Sequence, residues 1–180
     1  MKIFKFGGAS VKDAEGVKNV LQVLQNVGHE EVLLVISAMG KTTNALEVVI
    51  ANYFEKSKEL NASLQEVRKY HNQILLDLFE DEDHEVFFDV NAHFDDLEYF
   101  IRSTKSPNHS FVYDQVVCIG ELVSTTIVSH YFNFRGLKNN WIDVRPLIKT
   151  DNNYRDGQVD WEATQKLISK GIKKKSLNIT

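Results

Sequence analysis

The sequence predicts an α/β fold: a three-layer α/β/α sandwich with a mostly parallel sheet and an all-helical insertion. Three observations carry this. Ile3-Phe4-Lys5-Phe6 is a short apolar segment that stops at Gly7-Gly8, which reads as a strand entering a tight turn. Val32-Leu33-Leu34-Val35-Ile36 is a continuous apolar run bounded by polar residues, the pattern of a parallel strand buried on both faces. Between and after these segments the apolar spacing is helical over long stretches, so the order of elements is α/β with helices inserted between the second and third strands.

Taken in order, Val17, Val20, Leu21, Leu24 and Val27 recur at helical spacing, and Gly28 stands where a C-cap glycine would. The first 40 residues therefore read β–α–β. Ala45, Val48, Val49, Asn52 and Tyr53 put a mixed face on a helix after Thr43. Leu64, Val67, His71, Ile74, Leu75 and Leu78 mark a second helix, which Asp81-Glu82-Asp83 interrupts. Phe87, Val90, Phe94, Leu97 and Ile101 mark a third. After the turn at Ser106-Pro107-Asn108, Val112 to Phe134 forms a long helix with Gly120 in its middle, ended by Gly136. Trp141-Ile142-Asp143-Val144 reads as a third strand. Val159 to Ile172 reads as an amphipathic helix with Asp160 as its N-cap, and Leu177-Asn178-Ile179-Thr180 has strand character.

The chain has 180 residues, 43% of them hydrophobic and 26% charged, which suits one domain with a packed core. A net charge of -4 with no extended basic stretch argues against nucleic acid as a partner. Lys173-Lys174-Lys175 is read as a solvated helix end. No apolar run approaches the length of a membrane span, and the strand-like start leaves no room for a signal peptide. Cys118 is the single cysteine and sits in an apolar stretch, so a structural thiol in a reducing, cytoplasmic compartment is expected. The six histidines show no metal-ligand spacing and are read as surface or helix-face residues. Hydrolysis by a Ser/His/Asp set lacks its Gly-x-Ser-x-Gly elbow.

Open α/β sheets bind ligands beyond the carboxyl ends of their strands. After the first strand come Gly7, Gly8 and Ser10. Adjacent glycines let backbone amides approach an anion, the following helix adds a positive dipole end, and Lys5 supplies a full charge. These are the tools of phosphoryl transfer; the alternative is a plain βα turn with a surface lysine. Ser37 to Asn44, after the second strand, offers hydroxyls and helix-start amides for a carboxylate or phosphate, or ordinary helix capping by Thr42 or Thr43. Gly120 inside a helix costs about 1 kcal/mol against alanine, which points to close approach of another backbone or a ligand. Glu121 is a carboxylate among apolar residues, suited to an ammonium partner, or else an exposed residue of the polar face.

Together these segments resemble the aspartate kinases of the amino-acid kinase family. Lys5-Phe6-Gly7-Gly8-Ala9-Ser10-Val11 is similar to that family's Lys-Phe-Gly-Gly-Thr-Ser-Val signature, with Ala9 in place of threonine. Val35-Ile36-Ser37-Ala38-Met39 through Thr43-Asn44 resembles the second signature, and Gly120-Glu121-Leu122-Val123-Ser124 resembles the Gly-Glu-(Leu/Lys)-x-Ser segment. Asp143-Val144-Arg145 stands at a family-like position. The resemblance implies phosphorylation of the L-aspartate side-chain carboxylate by ATP, giving 4-phospho-L-aspartate, with Mg2+ held through the ATP phosphates and no metal site of the protein's own. By the same resemblance, Lys5 is catalytic and neutralises charge on the transferring group. Gly7 and Gly8 offer amides to it, Ser10 and Ser37 lie at the nucleotide phosphates, and Thr43 and Glu121 hold aspartate, Glu121 at its α-ammonium.

The resemblance further implies that residues 1–180 form the N-terminal lobe of the kinase domain, with a helical insertion over 44–134. The nucleotide lobe and regulatory ACT domains are then missing, the fragment alone is inactive, and the full-length protein is a homo-oligomer. Kinases acting on glutamate or N-acetylglutamate are a neighbouring reading; the long helical stretch between Thr43 and Val112 and the Gly-Glu segment favour aspartate. A non-catalytic ligand-binding or interaction domain of the same ancestry is the other alternative.

Overall fold

The computed structural model describes residues 2–171. Lys173-Lys174-Lys175 and the strand expected at Leu177–Thr180 lie outside the described residues. Strand β1, Lys2–Phe6, pairs in parallel with β2, Val32–Ile36, in the register Lys2 to Val32 through Phe6 to Ile36. Side chains alternate across a sheet. Phe4, Phe6, Val32, Leu34 and Ile36 therefore share the face that packs onto the core. Ile3 (61% exposed) and Val35 (46%) lie on the other face with Lys5. The expectation that β2 is buried on both faces is thus corrected: its apolar run is real, but among the described residues only one face of the sheet is covered.

Helix α1, Ala14–Val27, starts where Asp13 accepts a hydrogen bond from the Gly16 amide at 2.8 Å, and it ends at Gly28 with φ +81°. Val17, Val20, Leu21 and Leu24 are buried as their spacing requires, whereas Val27 is exposed. Four helices then run between β2 and the C-terminal segment: α2 (Thr42–Glu55), α3 (Leu60–Phe79), α4 (Glu85–Ser103) and α5 (His109–Phe134). Arg68 of α3 bonds Asp95 and Glu98 of α4 at 2.7 and 3.1 Å. α5 packs on α2, α4 and β2. It is long and apolar enough to span a membrane by length and composition, contrary to the expectation that no segment is. Its apolar length has another use here, since 56% of the most apolar window is buried and Val116, Val123, Ile127 and Phe132 lie in the core. α6 (Trp161–Gly171) follows Asp160, whose carboxylate accepts from the Ala163 amide at 2.9 Å, as expected of an N-cap.

The strand expected at Trp141–Val144 does not form. The segment is held by side chains instead. Trp141 Nε1 donates to Thr125 Oγ1 at 2.8 Å. Just before it, Asn139 is tied to Ser129 and Asn133. Apolar character allowed a strand, but a strand also needs a neighbouring edge, and this segment docks on the side of α5. The further β pairing among the described residues is an isolated antiparallel bridge between Thr150 and Val159.

Candidate active site

Both strands run in the same direction, so β1 and β2 release their loops at one end of the sheet. The two loops are stitched together by their backbones. The Ser37 amide donates to Phe6 O at 3.1 Å, and the Gly40 amide donates to Gly8 O at 3.0 Å. A short 3-10 turn over Gly8–Val11 follows, closed by the Ser10 amide on Gly7 O at 2.9 Å. Gly8 is needed for space: a Cβ there would lie 2.6 Å from Ala38 O and 3.0 Å from Gly40 O. The Lys5 ammonium reaches toward the same turn, 3.8 Å from where a Cβ of Gly7 would stand. Ser10 is exposed.

Helix α5 closes the third side. Gly120 faces the β2–α2 loop, and a Cβ on it would lie 3.0 Å from Ala38 Cβ and 3.2 Å from the Thr42 methyl. The close approach at this glycine is made by the side chains of Ala38, Thr42 and Leu46, in place of the backbone or ligand expected there. One residue on, Glu121 Oε1 accepts from the Ala38 amide at 3.4 Å, and Ser124 Oγ donates to Ser37 O at 2.8 Å. Glu121 is half-buried at the loop and is not on an exposed polar face. Thr42 opens α2 by donating its hydroxyl to Met39 O at 2.6 Å, which is a turn-closing bond and not an N-cap; the cap position is Lys41. Thr43 follows in the first turn of α2, half-buried.

The structure thus brings Gly8, Ser37 and Glu121 together through Gly40 and Ala38, with Lys5 and Gly7 at one rim and Thr43 at the start of α2. Gly120→Val is expected to cost about 2–3 kcal/mol by overpacking this contact. Gly120→Ala is expected to cost less, because the roughly 1 kcal/mol gain in helix propensity offsets part of the crowding. Urea unfolding midpoints of the two variants check the order.

Arg145 belongs to a neighbouring group. It forms a two-pronged ion pair with Asp143, at 3.0 and 2.7 Å, and this holds the Asp143 carboxyl below its usual range. Arg145 also lines a cavity of about 160 Å³ with His93, Asp96 and Cys118. The Cys118 thiol, expected to be buried, is half-buried; it bonds Gln115 O at 3.4 Å, and burial pushes it up. Among the described residues no group of His, Cys, Asp and Glu could hold a metal ion.

Two residues of α3 reach these loops, although neither was assigned a role there from the sequence. His71 lies on the helix face that its spacing gave and is fully buried there, so of its two assignments the surface one is corrected. Its signal was a histidine inside the apolar stripe Leu64, Val67, Ile74 and Leu75. Tyr70, next to it, donates to Lys12 O across the first loop. Fifty-eight residues separate that pair, and no local pattern announces it.

This arrangement can be set beside known proteins. The family model described as "Amino acid kinase family" matches residues 1–173. The chain belongs to the amino acid kinase family. Among curated members of that family it is 28% identical over 178 residues to aspartokinase 1, chloroplastic, of Arabidopsis thaliana, covering 94% of this chain and 30% of that protein. It is 27% identical over 154 residues to the bifunctional aspartokinase/homoserine dehydrogenase 2 of Escherichia coli, covering 83% of this chain and 18% of that one. The chain therefore spans less than a third of either relative. Among solved structures, E. coli aspartokinase III in complex with aspartate and ADP superposes with a TM-score of 0.79 at 21% identity, over 95% of this chain and 37% of that one. The fold of this amino acid kinase segment is accordingly that of the aspartokinases.

Proposed function

We propose that this chain is the substrate-side part of an aspartate kinase, which transfers the terminal phosphoryl group of ATP to the side-chain carboxylate of L-aspartate. The observation that carries the reading is the three-way closure in which Gly8, Ser37–Gly40 and Glu121 meet through hydrogen bonds of 3.0 to 3.4 Å. A structural neighbour that holds aspartate and ADP supports it. In this reading Glu121 meets the α-ammonium of aspartate, and Thr43 offers its hydroxyl and the α2 amino end to the α-carboxylate. The Gly7 and Gly8 amides and the Lys5 ammonium face the group being transferred, Ser37 and Ser10 lie along the phosphates, and Lys5 offsets charge in the transition state.

ATP fits the donor set, because a lysine and glycine amides at a strand end suit a phosphate chain. Mg2+ is read as an ion carried by the ATP phosphates, the usual way in which that ion is held. Because the chain spans a fifth to a third of its relatives, we place full turnover outside these 180 residues and L-aspartate recognition within them. Calorimetric titration of the chain with L-aspartate, against D-aspartate and L-glutamate, tests this; absence of heat with L-aspartate would remove the reading. In a kinase domain assembled around this segment, Lys5→Ala is expected to lower turnover by about 100-fold or more while leaving the unfolding midpoint unchanged. Initial rates of ADP release measure it, and unchanged turnover would refute the role of Lys5.

A further inference from the structure

The two ligand loops are held from a side that the family signatures do not touch. Helix α3 crosses behind them and presents Tyr70 and His71 in succession. Tyr70 donates its hydroxyl to Lys12 O, at the end of the β1–α1 turn. The same hydroxyl stands over Gly40, where a Cβ would lie 2.6 Å from it; Gly40 has φ +54°, so both its space and its backbone suit glycine. His71, fully buried, bonds the other loop. Its Nδ1 lies 2.8 Å from Val67 O, an atom that can only accept, so Nδ1 carries the proton. Nε2 is then an acceptor, 3.2 Å from the Thr42 hydroxyl, which also stands 2.6 Å from Met39 O. The single Thr42 proton is held mainly by the short bond to Met39 O, and the longer contact to Nε2 is the second arm of a bifurcated bond that ties the histidine of α3 to this loop. The imidazole is wedged between the Tyr70 ring at 4.9 Å and the Phe94 ring of α4 at 5.6 Å, which fixes its plane.

We infer that Tyr70 and His71 are positioning residues that lock the Gly7–Lys12 turn and the Ser37–Thr43 loop into one rigid cradle for an amino-acid carboxylate and a phosphate. Neither reaches the reacting groups. Tyr70 sets the first loop and shapes Gly40, which is bonded to Gly8. His71 sets Thr42, which opens α2 and stands next to Thr43. The burial that keeps His71 neutral suits an acceptor at Nε2. The inference rests on reading these loops as the aspartate and phosphoryl site.

The test uses the 180-residue chain with Tyr70→Phe, His71→Leu and His71→Gln. Glutamine is chosen because its amide can accept from Thr42 as Nε2 does. Amide hydrogen exchange is followed at residues 8–12 and 39–43, with the α1 and α5 core amides as reference, and L-aspartate binding is followed by calorimetry. Tyr70→Phe is expected to speed exchange in 8–12 and at Gly40, and His71→Leu in 39–43, while the core amides keep their rates. Each is expected to weaken L-aspartate about fivefold, the equivalent of one lost hydrogen bond. His71→Gln is expected to restore most of both effects. Unchanged loop exchange, or a loss that Gln does not rescue, overturns the positioning role. If the parent chain gives no heat with L-aspartate while the exchange pattern appears as stated, the locking stands and the aspartate reading fails.

Discussion

Gly8→Ala is expected to uncouple the two loops and abolish L-aspartate binding, at a stability cost of about 1–3 kcal/mol. The reason is what the new methyl would meet. Its nearest neighbours are Ala38 O at 2.6 Å and Gly40 O at 3.0 Å, both backbone atoms that cannot rotate away as the end of a side chain can. Relief must come from moving the β2–α2 loop. That loop is held by the Ser37 amide on Phe6 O, by Ser124 on Ser37 O and by Glu121 on the Ala38 amide. Any shift that frees the methyl stretches the Gly40 to Gly8 bond first, and then the contact that orients Glu121. Alanine at Gly7 makes the useful control, because a Cβ there meets only the mobile Lys5 ammonium at 3.8 Å. Equal losses of binding in Gly7→Ala and Gly8→Ala would argue against this packing account. Urea unfolding separates the stability cost from the calorimetric loss of affinity.

The β–α–β opening was readable because its boundaries are marked locally: two glycines after Phe6, helical spacing from Val17 onward, Gly28 after it. The same holds for α6 behind Asp160. Gly120 was legible as a close approach because glycine inside a helix is costly, although nothing in its neighbourhood names Ala38 and Thr42 as what it approaches. Trp141–Val144 failed as a strand because apolar content alone does not specify an edge to pair with, and Thr125 and Ser129 offered side-chain anchors on α5 instead. Val35 misled for a related reason. A continuous apolar run looks the same whether its second face is covered or, as among the described residues, open. Of the candidate site, the sequence marked the two loops and the Gly120–Glu121 step that the structure brings together, and the support from α3 was not marked. Tyr70 and His71 act through carbonyls and a hydroxyl 58 and 29 residues away, and backbone carbonyls leave no trace in a sequence.

Acidification is expected to destabilise the chain between pH 6.5 and about 4 through His71. Burial is the leading cause, and it lowers the imidazole from its ordinary 6.5 to about 4; the Val67 carbonyl, which favours the protonated ring, only partly opposes it. The ring faces that carbonyl, the Thr42 hydroxyl of α2, the Tyr70 ring of α3 and the Phe94 ring of α4, with the Arg68 guanidinium 5.5 Å from the Phe94 centroid on α4's side. In this window the unfolded chain binds a proton at His71 that the folded chain does not, so stability rises with pH. The contribution is complete above 6.5 and falls as pH drops toward 4, by about 3 kcal/mol in all at 1.36 kcal/mol per pH unit. His93, also lowered by burial, acts in the same direction, whereas Asp143, held below 3.8, loses its contribution only at lower pH. The His71 share is isolated by comparing the parent chain with His71→Gln. The difference between their unfolding free energies is expected to narrow steadily as pH falls from 7 to 4.5, and a constant difference would place the titration elsewhere. Since protonation also places a charge on the buried ring against Thr42, exchange at residues 39–43 is expected to quicken over the same interval, ahead of global unfolding. Stability and the order of the β2–α2 loop would then follow one proton.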